Sequence, residues 1–476
     1  MNKITYLILM LTLCFSCNNF KRENKTTIQG VSNLKGNTIA ISGFENNSIC
    51  DIGKEYNLKT DGKNHFQTVV NIDHFSTPWL EAGTGTRNAI SRQIYLFPGE
   101  NLDITINESE TIFKGEGAER NNLYSIIENK GFLISQLIHP LMYKKISMEK
   151  YLEKLKNFKD KRHQILVEYR KENSLKKEFV DFYNIQTEIQ YRNLIVAAFS
   201  HSFYTGNKDV NLFKQFKNEI AVENYTNDKW VNFSEYIDNL RNYIFYVKGM
   251  EINKTSKNID YFKSIQIALI DSLKGKSQEF ALAEFICSDL NDGKYDSLEI
   301  NVFNKLTATD LAKTTVENAI DKFHQKEYLI GKPIHKEFAQ TLLADTTNRQ
   351  LSFESMLKSY RGNIVYMEIW SLACGHCRKA MPTSRKLEKE LAKLPIKFVY
   401  LNTDKYNENL WDDIFRASLT RNNNYRLING SYSRLNKFMN STMVPWYLLF
   451  DKDGNLLSFN AEEPYSIKDT LIKLSK

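Results

Sequence analysis

The stretch Trp370-Ser371-Leu372-Ala373-Cys374-Gly375-His376-Cys377-Arg378-Lys379-Ala380-Met381-Pro382 decides the reading of this sequence. Two cysteines three apart stand where an apolar run, Ile364 to Trp370, gives way to a segment with helical character, Gly375 to Lys393. At a helix N-terminus the free backbone N–H groups and the positive end of the dipole stabilise an anion, so Cys374 is expected to be the thiolate nucleophile. Cys377, one turn in, is placed to attack a mixed disulfide on Cys374 and release the partner. Basic side chains outnumber Glu388 and Glu390 over residues 374–393, a net charge of +4 that also favours thiolate. His376 lies between the thiols, where imidazole is expected to stabilise the Cys374 thiolate and make the pair more oxidising.

The rival reading, half a zinc site, needs a second Cys or His pair at similar spacing to complete a tetrahedron, and outside the expected signal peptide, which holds Cys14 and Cys17, the sequence has none. No metal and no cofactor are therefore expected. A purely structural disulfide is a poor alternative, because closing so short a loop removes little chain entropy. Glu368 stands out within the run before the motif. Ile364, Val365, Tyr366, Met367, Ile369 and Trp370 predict a strand covered on both faces, where an acid is costly unless it is paired or functional. Either it exchanges a proton with Cys377, its pKa raised by burial, or it is structural and bonded to a neighbouring Lys or backbone group.

Residues 332–476 alternate strand and helix signals after the break at Gly331-Lys332-Pro333, which predicts an α/β domain. Further strands are expected at Ile396 to Thr403 and across the Asp453-Gly454 turn, from Trp446 to Asp451 and Asn455 to Asn460, and helices at Leu410 to Leu419 and Ile467 to Leu474. The strand ending in Trp370, the CxxC pair, Pro382, the run Met443-Val444-Pro445-Trp446-Tyr447-Leu448-Leu449-Phe450 and the hairpin Phe450 to Asn455 together resemble the thioredoxin fold. More specifically they resemble the extracytoplasmic TlpA/ResA-like thiol-disulfide oxidoreductases. The resemblance implies a cis Pro445 beside the CxxC, with the Val444 backbone pairing to an extended substrate segment and Trp370 part of the substrate surface. It also implies that Glu368 is the buried acid six residues before the first Cys. Ala373 departs from the family, where Trp usually precedes that Cys. His376 replaces the common Pro and gives Cys-Gly-His-Cys, which resembles protein disulfide isomerases and weakens a simple reductant reading.

Farther out, residues 119–331 carry apolar residues at helical spacing. Tyr151, Leu152, Leu155, Phe158, Ile165, Leu166 and Tyr169 form one stripe, with Ser147 as its N-cap. Leu212 to Ile220, Phe233 to Val247, Tyr261 to Leu273 and Phe280 to Leu290 behave alike, so a domain of packed antiparallel helices is expected. Residues 28–118 show short β runs, Thr38 to Ser42, His65 to Ile72, Gln93 to Phe97 and Leu102 to Ile106, separated by turn residues, which predicts a small sandwich or barrel-like sheet. With Pro98-Gly99-Glu100 leading into a strand, this part resembles the β domain often placed ahead of such thioredoxin modules in exported lipoproteins. The fold class expected is multi-domain α+β: a small all-β domain, a helical domain and a C-terminal α/β thioredoxin fold.

The N-terminus reads as a signal peptide over residues 1–17: Lys3, an apolar core from Ile4, then Ser16 before Cys17, followed by a polar tether over 18–27. Leu13-Cys14-Phe15-Ser16-Cys17 resembles a relaxed bacterial lipobox, which implies lipidation of Cys17; the rival is a plain secretory signal. Export makes disulfide chemistry available. The lone Cys50 and Cys287 are expected to be buried as small apolar side chains. Across 476 residues, 64 basic against 56 acidic side chains leave a net charge of +8, too modest to argue nucleic acid. A mean hydropathy of -0.45 argues against an integral membrane protein.

The expectation is a lipid-anchored, periplasm-facing protein of the cell envelope, on the inner or outer membrane. It would exchange disulfides with exported proteins, as reductase or isomerase rather than oxidase, and draw electrons from a membrane thiol donor. Two alternatives remain: a thiol peroxidase, which the paired cysteines oppose, and a non-catalytic lipoprotein that binds peptide or glycan beside a vestigial thioredoxin module.

Overall fold

The computed structural model describes residues 25–34, 38–43, 55–83, 90–108, 110–205, 211–231, 233–255, 261–372, 374–404, 410–418, 422–428, 430, 433, 435 and 444–476. The expected signal peptide, Cys17, Cys50, Ala373 and Met443 lie outside the described residues.

Alternating side chains build the N-terminal part, as in Lys25–Ser32, where Thr26, Ile28 and Ser32 point inward. One four-stranded sheet runs His65–Asn71, Lys25–Ser32, Asn101–Ile106, Thr111–Gly115, and a second runs Glu55–Lys59, Thr38–Ser42, Trp79–Ala82, Ile90–Gln93. Their inward residues, among them Ile28, Ile39, Ile41, Phe66, Leu80, Leu102 and Ile104, share one core, so the two sheets form a sandwich. Two expectations shift here. The first strand starts at Lys25, inside the stretch expected as a tether. The run Gln93 to Phe97 is not a continuous strand: pairing ends at Gln93 and resumes as a single bridge between Ser76 and Leu96.

The Pro98-Gly99-Glu100 turn ties this sandwich to the helices. Glu100 is buried and paired with the buried Arg120 of the helix Ala118–Asn129, and also with Lys176 at 3.3 Å. Beyond it the helices pack around Lys177–Thr205, which buries residues all round. The stripe from Tyr151 to Tyr169 is cut at Asn157 (φ -99°, ψ 4°) into two helices, Met148–Lys156, capped by Ser147, and Phe158–Tyr169. The stripe itself is buried except for Tyr169, but the bend divides it between two cores: Tyr151, Leu152, Leu155 and Phe158 pack in one, Ile165 and Leu166 in another with Phe179 and Tyr183. Two of the other helices expected here pass into wider π-helical turns, Ile244–Gly249 and Ala268–Ser272. Cys287 is a buried free thiol, consistent with small apolar packing.

The C-terminal sheet has seven strands in the order Gln350–Ser352, Leu342–Ala344, Asn424–Leu427, Ile396–Asn402, Ile364–Trp370, Trp446–Phe450, Leu456–Ser458. The run 364–370 is central, parallel to 396–402 and antiparallel to 446–450, and all seven of its residues are buried. Its two faces meet different partners. Ile364, Tyr366 and Trp370 pack with Cys377, Met381 and Leu387 of the helix Gly375–Glu390. Val365, Met367 and Ile369 belong to one core continuous with Phe323 and Leu329 of the helical region. The helical and α/β parts thus share a core. Gly454, at φ 85°, makes the tight turn between the last two strands, and Asp451 Oδ1 accepts from the N–H groups of Asp453 (2.9 Å) and Asn455 (2.8 Å).

Candidate redox site

Cys374 and Cys377 form a disulfide at the start of the helix Gly375–Glu390. Cys374 is the N-cap residue, and its sulfur accepts from the Cys377 N–H at 2.9 Å, the donor that would hold a thiolate after reduction. Cys374 is partly exposed and Cys377 is fully buried, so a partner can reach the first sulfur and not the second. The helix presents Cys377, Ala380, Met381 and Ser384 to the sheet, spaced i, i+3, i+4, i+7 on one face.

The Val444–Pro445 peptide is cis, and the Val444 carbonyl oxygen stands 3.2 Å from the Cys374 sulfur. That oxygen would accept from a Cys374 thiol, so two backbone groups compete at one sulfur: the Cys377 N–H favours the anion and the Val444 carbonyl favours the protonated form. The loop before the motif is held by Asp404, whose Oδ2 accepts from Leu372 N and Asn402 Nδ2, each at 2.7 Å.

Glu368 is 1% exposed and faces the same layer as Tyr366, Trp370 and Cys377. Ser384 donates to its Oε2 at 2.8 Å, and its Oε1 has no hydrogen-bond partner among the described residues. Burial pushes its pKa up to about 7, with the like charge of Glu463 adding to the rise and the Ser384 bond opposing it. The neighbour is thus a serine of the CxxC helix, and neither a Lys nor a backbone group. Tyr447, opposite Glu368 on the adjoining strand, also has a buried hydroxyl without a partner among the described residues.

One expectation is corrected. Trp370 is 0% exposed, locked between strand neighbours and the CxxC helix, so it is a core residue and offers no substrate surface. The exposed His376 does not bond a cysteine sulfur in this disulfide form; its Nε2 lies 3.3 Å from Glu463 Oε1. Sequence reasoning missed Ser384, Glu463 and Asp404. Ser384 was findable as the position two helical turns after Cys377 on the sheet-facing side; Glu463 comes from a loop remote in sequence and carried no signal.

Residues 362–456 match the family model described as thioredoxin-like, and the C-terminal part of the chain has a thioredoxin-like fold. No curated protein matches the chain. Similar solved structures include the thioredoxin domain of a thiol-disulfide oxidoreductase from Bacteroides vulgatus, 16% identical, covering 30% of this chain and 100% of that one, TM-score 0.25. A thiol:disulfide interchange protein from Bacteroides sp. is 17% identical, with 28% of this chain and 85% of that one covered, TM-score 0.25. A secreted Mycobacterium tuberculosis disulfide oxidoreductase is 14% identical over 29% of this chain and 100% of that one, TM-score 0.24. Among the described residues no helix is long and apolar enough to cross a membrane.

Proposed function

We propose that this protein is a thiol-disulfide oxidoreductase of the cell envelope that reduces or isomerises disulfides of exported proteins. The observation that carries the reading is the asymmetry of the pair: an accessible Cys374 sulfur facing an N–H donor at the helix start, and a buried Cys377 behind it in the layer of Glu368. In the reduced protein the Cys374 thiolate attacks a client disulfide; a Cys374–client bond forms as the client S–S bond breaks, and the leaving sulfur takes a proton. Cys377 then gives its proton to Glu368 and attacks the Cys374 sulfur, re-forming the internal disulfide and releasing the second client thiolate. Val444 and Pro445 flank the attacked sulfur, where an extended client segment would pair with the backbone.

Each reductive cycle leaves the enzyme oxidised, so an electron donor is required, and a membrane thiol relay supplies it in this reading. The lipobox-like run ending at Cys17 supports a lipid anchor and a periplasm-facing location. The resemblance to TlpA/ResA-like proteins supports reduction, and the Gly375-His376 dipeptide supports isomerisation.

The deciding experiment is the equilibrium potential of the Cys374/Cys377 pair against a glutathione series, read by thiol trapping and mass. A value near about -270 mV supports a reductase and one near about -180 mV an isomerase. A pair that does not titrate at all refutes the proposal.

A further inference from the structure

A cavity of about 620 Å³ opens in the helical region, away from the thiol pair, a size typical of small-ligand pockets. It is bordered by the helices Tyr261–Ile267, Gly275–Asn291 and Ser297–Lys305 and by the π-helical segment Ile244–Gly249, a local geometry that recurs at functional sites. Four carboxylates line it: Asp289, Asp292, Asp296 and Glu299. Its two cations are already engaged by acids: Arg241 with Glu284 at 3.2 Å and Asp238 at 3.8 Å, and Lys294 in the field of Asp289 and Asp292. The lining remains net negative on a chain whose overall charge is +8.

Not all four acids are available. Asp296 serves the fold, its Oδ1 capping Ser297–Lys305 through the N–H groups of Leu298 and Glu299, while its Oδ2 accepts from Gln266. Glu299 is different. It is 3% exposed, Gln266 is its hydrogen-bonding neighbour, and its Oε2 has no partner among the described residues. Burial, then the charges of Asp289 and Asp296, pushes its pKa up to about 7, so a cation beside it would relieve both costs. Among the described residues no three His, Cys, Asp or Glu side chains are grouped to hold a metal ion. The walls instead include Phe245 and Tyr246, which suit the stem of an organic cation and the cation–π contact it can make.

We propose that this cavity binds an organic cation, an alkylammonium or guanidinium group on an apolar stem, with Glu299 as its anchoring carboxylate. The cation is either a free amine or a basic side chain of a polypeptide. The rim is continuous with the redox unit: Asn460 donates to the Asp292 carbonyl, and Trp446, which follows Pro445, donates to the carbonyl of Phe459. The site stands independently of the thiol chemistry, because it is defined by the helical region alone.

The test is calorimetric titration of the oxidised full chain with 1,5-diaminopentane, with a blocked alanine peptide carrying one central lysine, and with the same peptide carrying norleucine. At least one lysine-type probe is expected to bind and the norleucine peptide is not; binding of the peptide alone assigns a polypeptide source, and binding of the diamine a free amine. Glu299→Gln is expected to weaken binding by about tenfold or more, the loss of one charge-assisted hydrogen bond. Wild-type affinity should also fall as the pH drops from about 8 to about 6 and Glu299 takes up its proton. Should Glu299→Gln fail to fold, Asp289→Asn and the wild-type pH dependence carry the test. No binding of either lysine-type probe, equal binding of norleucine, or affinity unchanged both by substitution and by pH overturns the proposal. None of these outcomes bears on the redox titration, so the two readings fail separately.

Discussion

Glu368 and Glu299 reach the same electrostatic state in two unlike places. Both are buried, at 1% and 3% exposure, both have one oxygen without a partner among the described residues, and both are pushed up to about 7. Glu368 gets there chiefly by burial in a packed layer between strand and helix, with Cys377 in that same layer. Glu299 gets there by burial and by crowding with Asp289 and Asp296 on the wall of a cavity. A buried acid in a closed layer can trade a proton only with its neighbours. A buried acid lining a cavity can be answered by a charge from outside. The surroundings, and not the pKa, set what each carboxylate is suited to do.

The harshest way to break this comparison is to remove the sulfur chemistry from the Glu368 side. Cys374→Ser should abolish disulfide exchange with an insulin substrate, and Cys377→Ser should accumulate a mixed disulfide visible on non-reducing electrophoresis. Exchange surviving in Cys374→Ser would detach Glu368 from any redox role. Next in size is Glu368→Gln, expected to slow resolution of the mixed disulfide by about 10²-fold near pH 7, the lower range for a lost general base. Stopped-flow rates against pH should lose their inflection near about 7 in that variant. A purely structural glutamate would leave that profile in place.

Stability reports on both acids with a defined sign. The folded pKa of Glu368 is raised from 4.5 to about 7, so between those values the folded state holds a proton that the unfolded chain releases. Stability therefore declines as pH rises through that window, at about 1.4 kcal/mol per unit, and the full cost is present above about 7. Glu368→Gln should gain on the order of 3–4 kcal/mol at about pH 8 and nothing below about pH 4, read from urea unfolding. Glu299→Gln should gain in the same direction over the same window, its pKa also being raised from 4.5 to about 7. Ser384→Ala comes next. It removes the bond to Glu368 Oε2, costing about 1 kcal/mol and moving the kinetic inflection upward, because that bond holds the pKa down.

How far each acid was legible follows from the same contrast. Glu368 interrupts an apolar run of period-free strand residues, where a single charge is conspicuous in the sequence itself. Glu299 sits on an amphipathic helix, where an acid is ordinary, and only the fold brings it to face Asp289 and Gln266 from other helices. The strand 364–370, the CxxC helix and the Asp453-Gly454 turn were readable because each is set by local pattern. The bend at Asn157, the π-helical turns and the core shared by the helical and α/β parts come from long-range packing, which periodicity does not encode. Trp370 was misread for the opposite reason: its place beside the motif suggested a surface, while its strand position made it core.

The smallest expected effect concerns His376, and it tests whether the environment of the thiols ends at the layer of Glu368. The His376–Glu463 pair is exposed, at 56% and 47% of side-chain surface, so His376→Ala should change stability by less than about 1 kcal/mol, and less still at high salt. In the disulfide form the imidazole engages Glu463, not sulfur. If it stays there on reduction, His376→Ala should move the equilibrium potential of the pair by less than about 30 mV, which for two electrons is about 1.4 kcal/mol. A larger shift toward reducing values would mean that the ring leaves Glu463 for the Cys374 thiolate once the disulfide opens. Glu463→Gln separates the two cases: it frees the ring without removing it, and should make the pair more oxidising only if that movement is available.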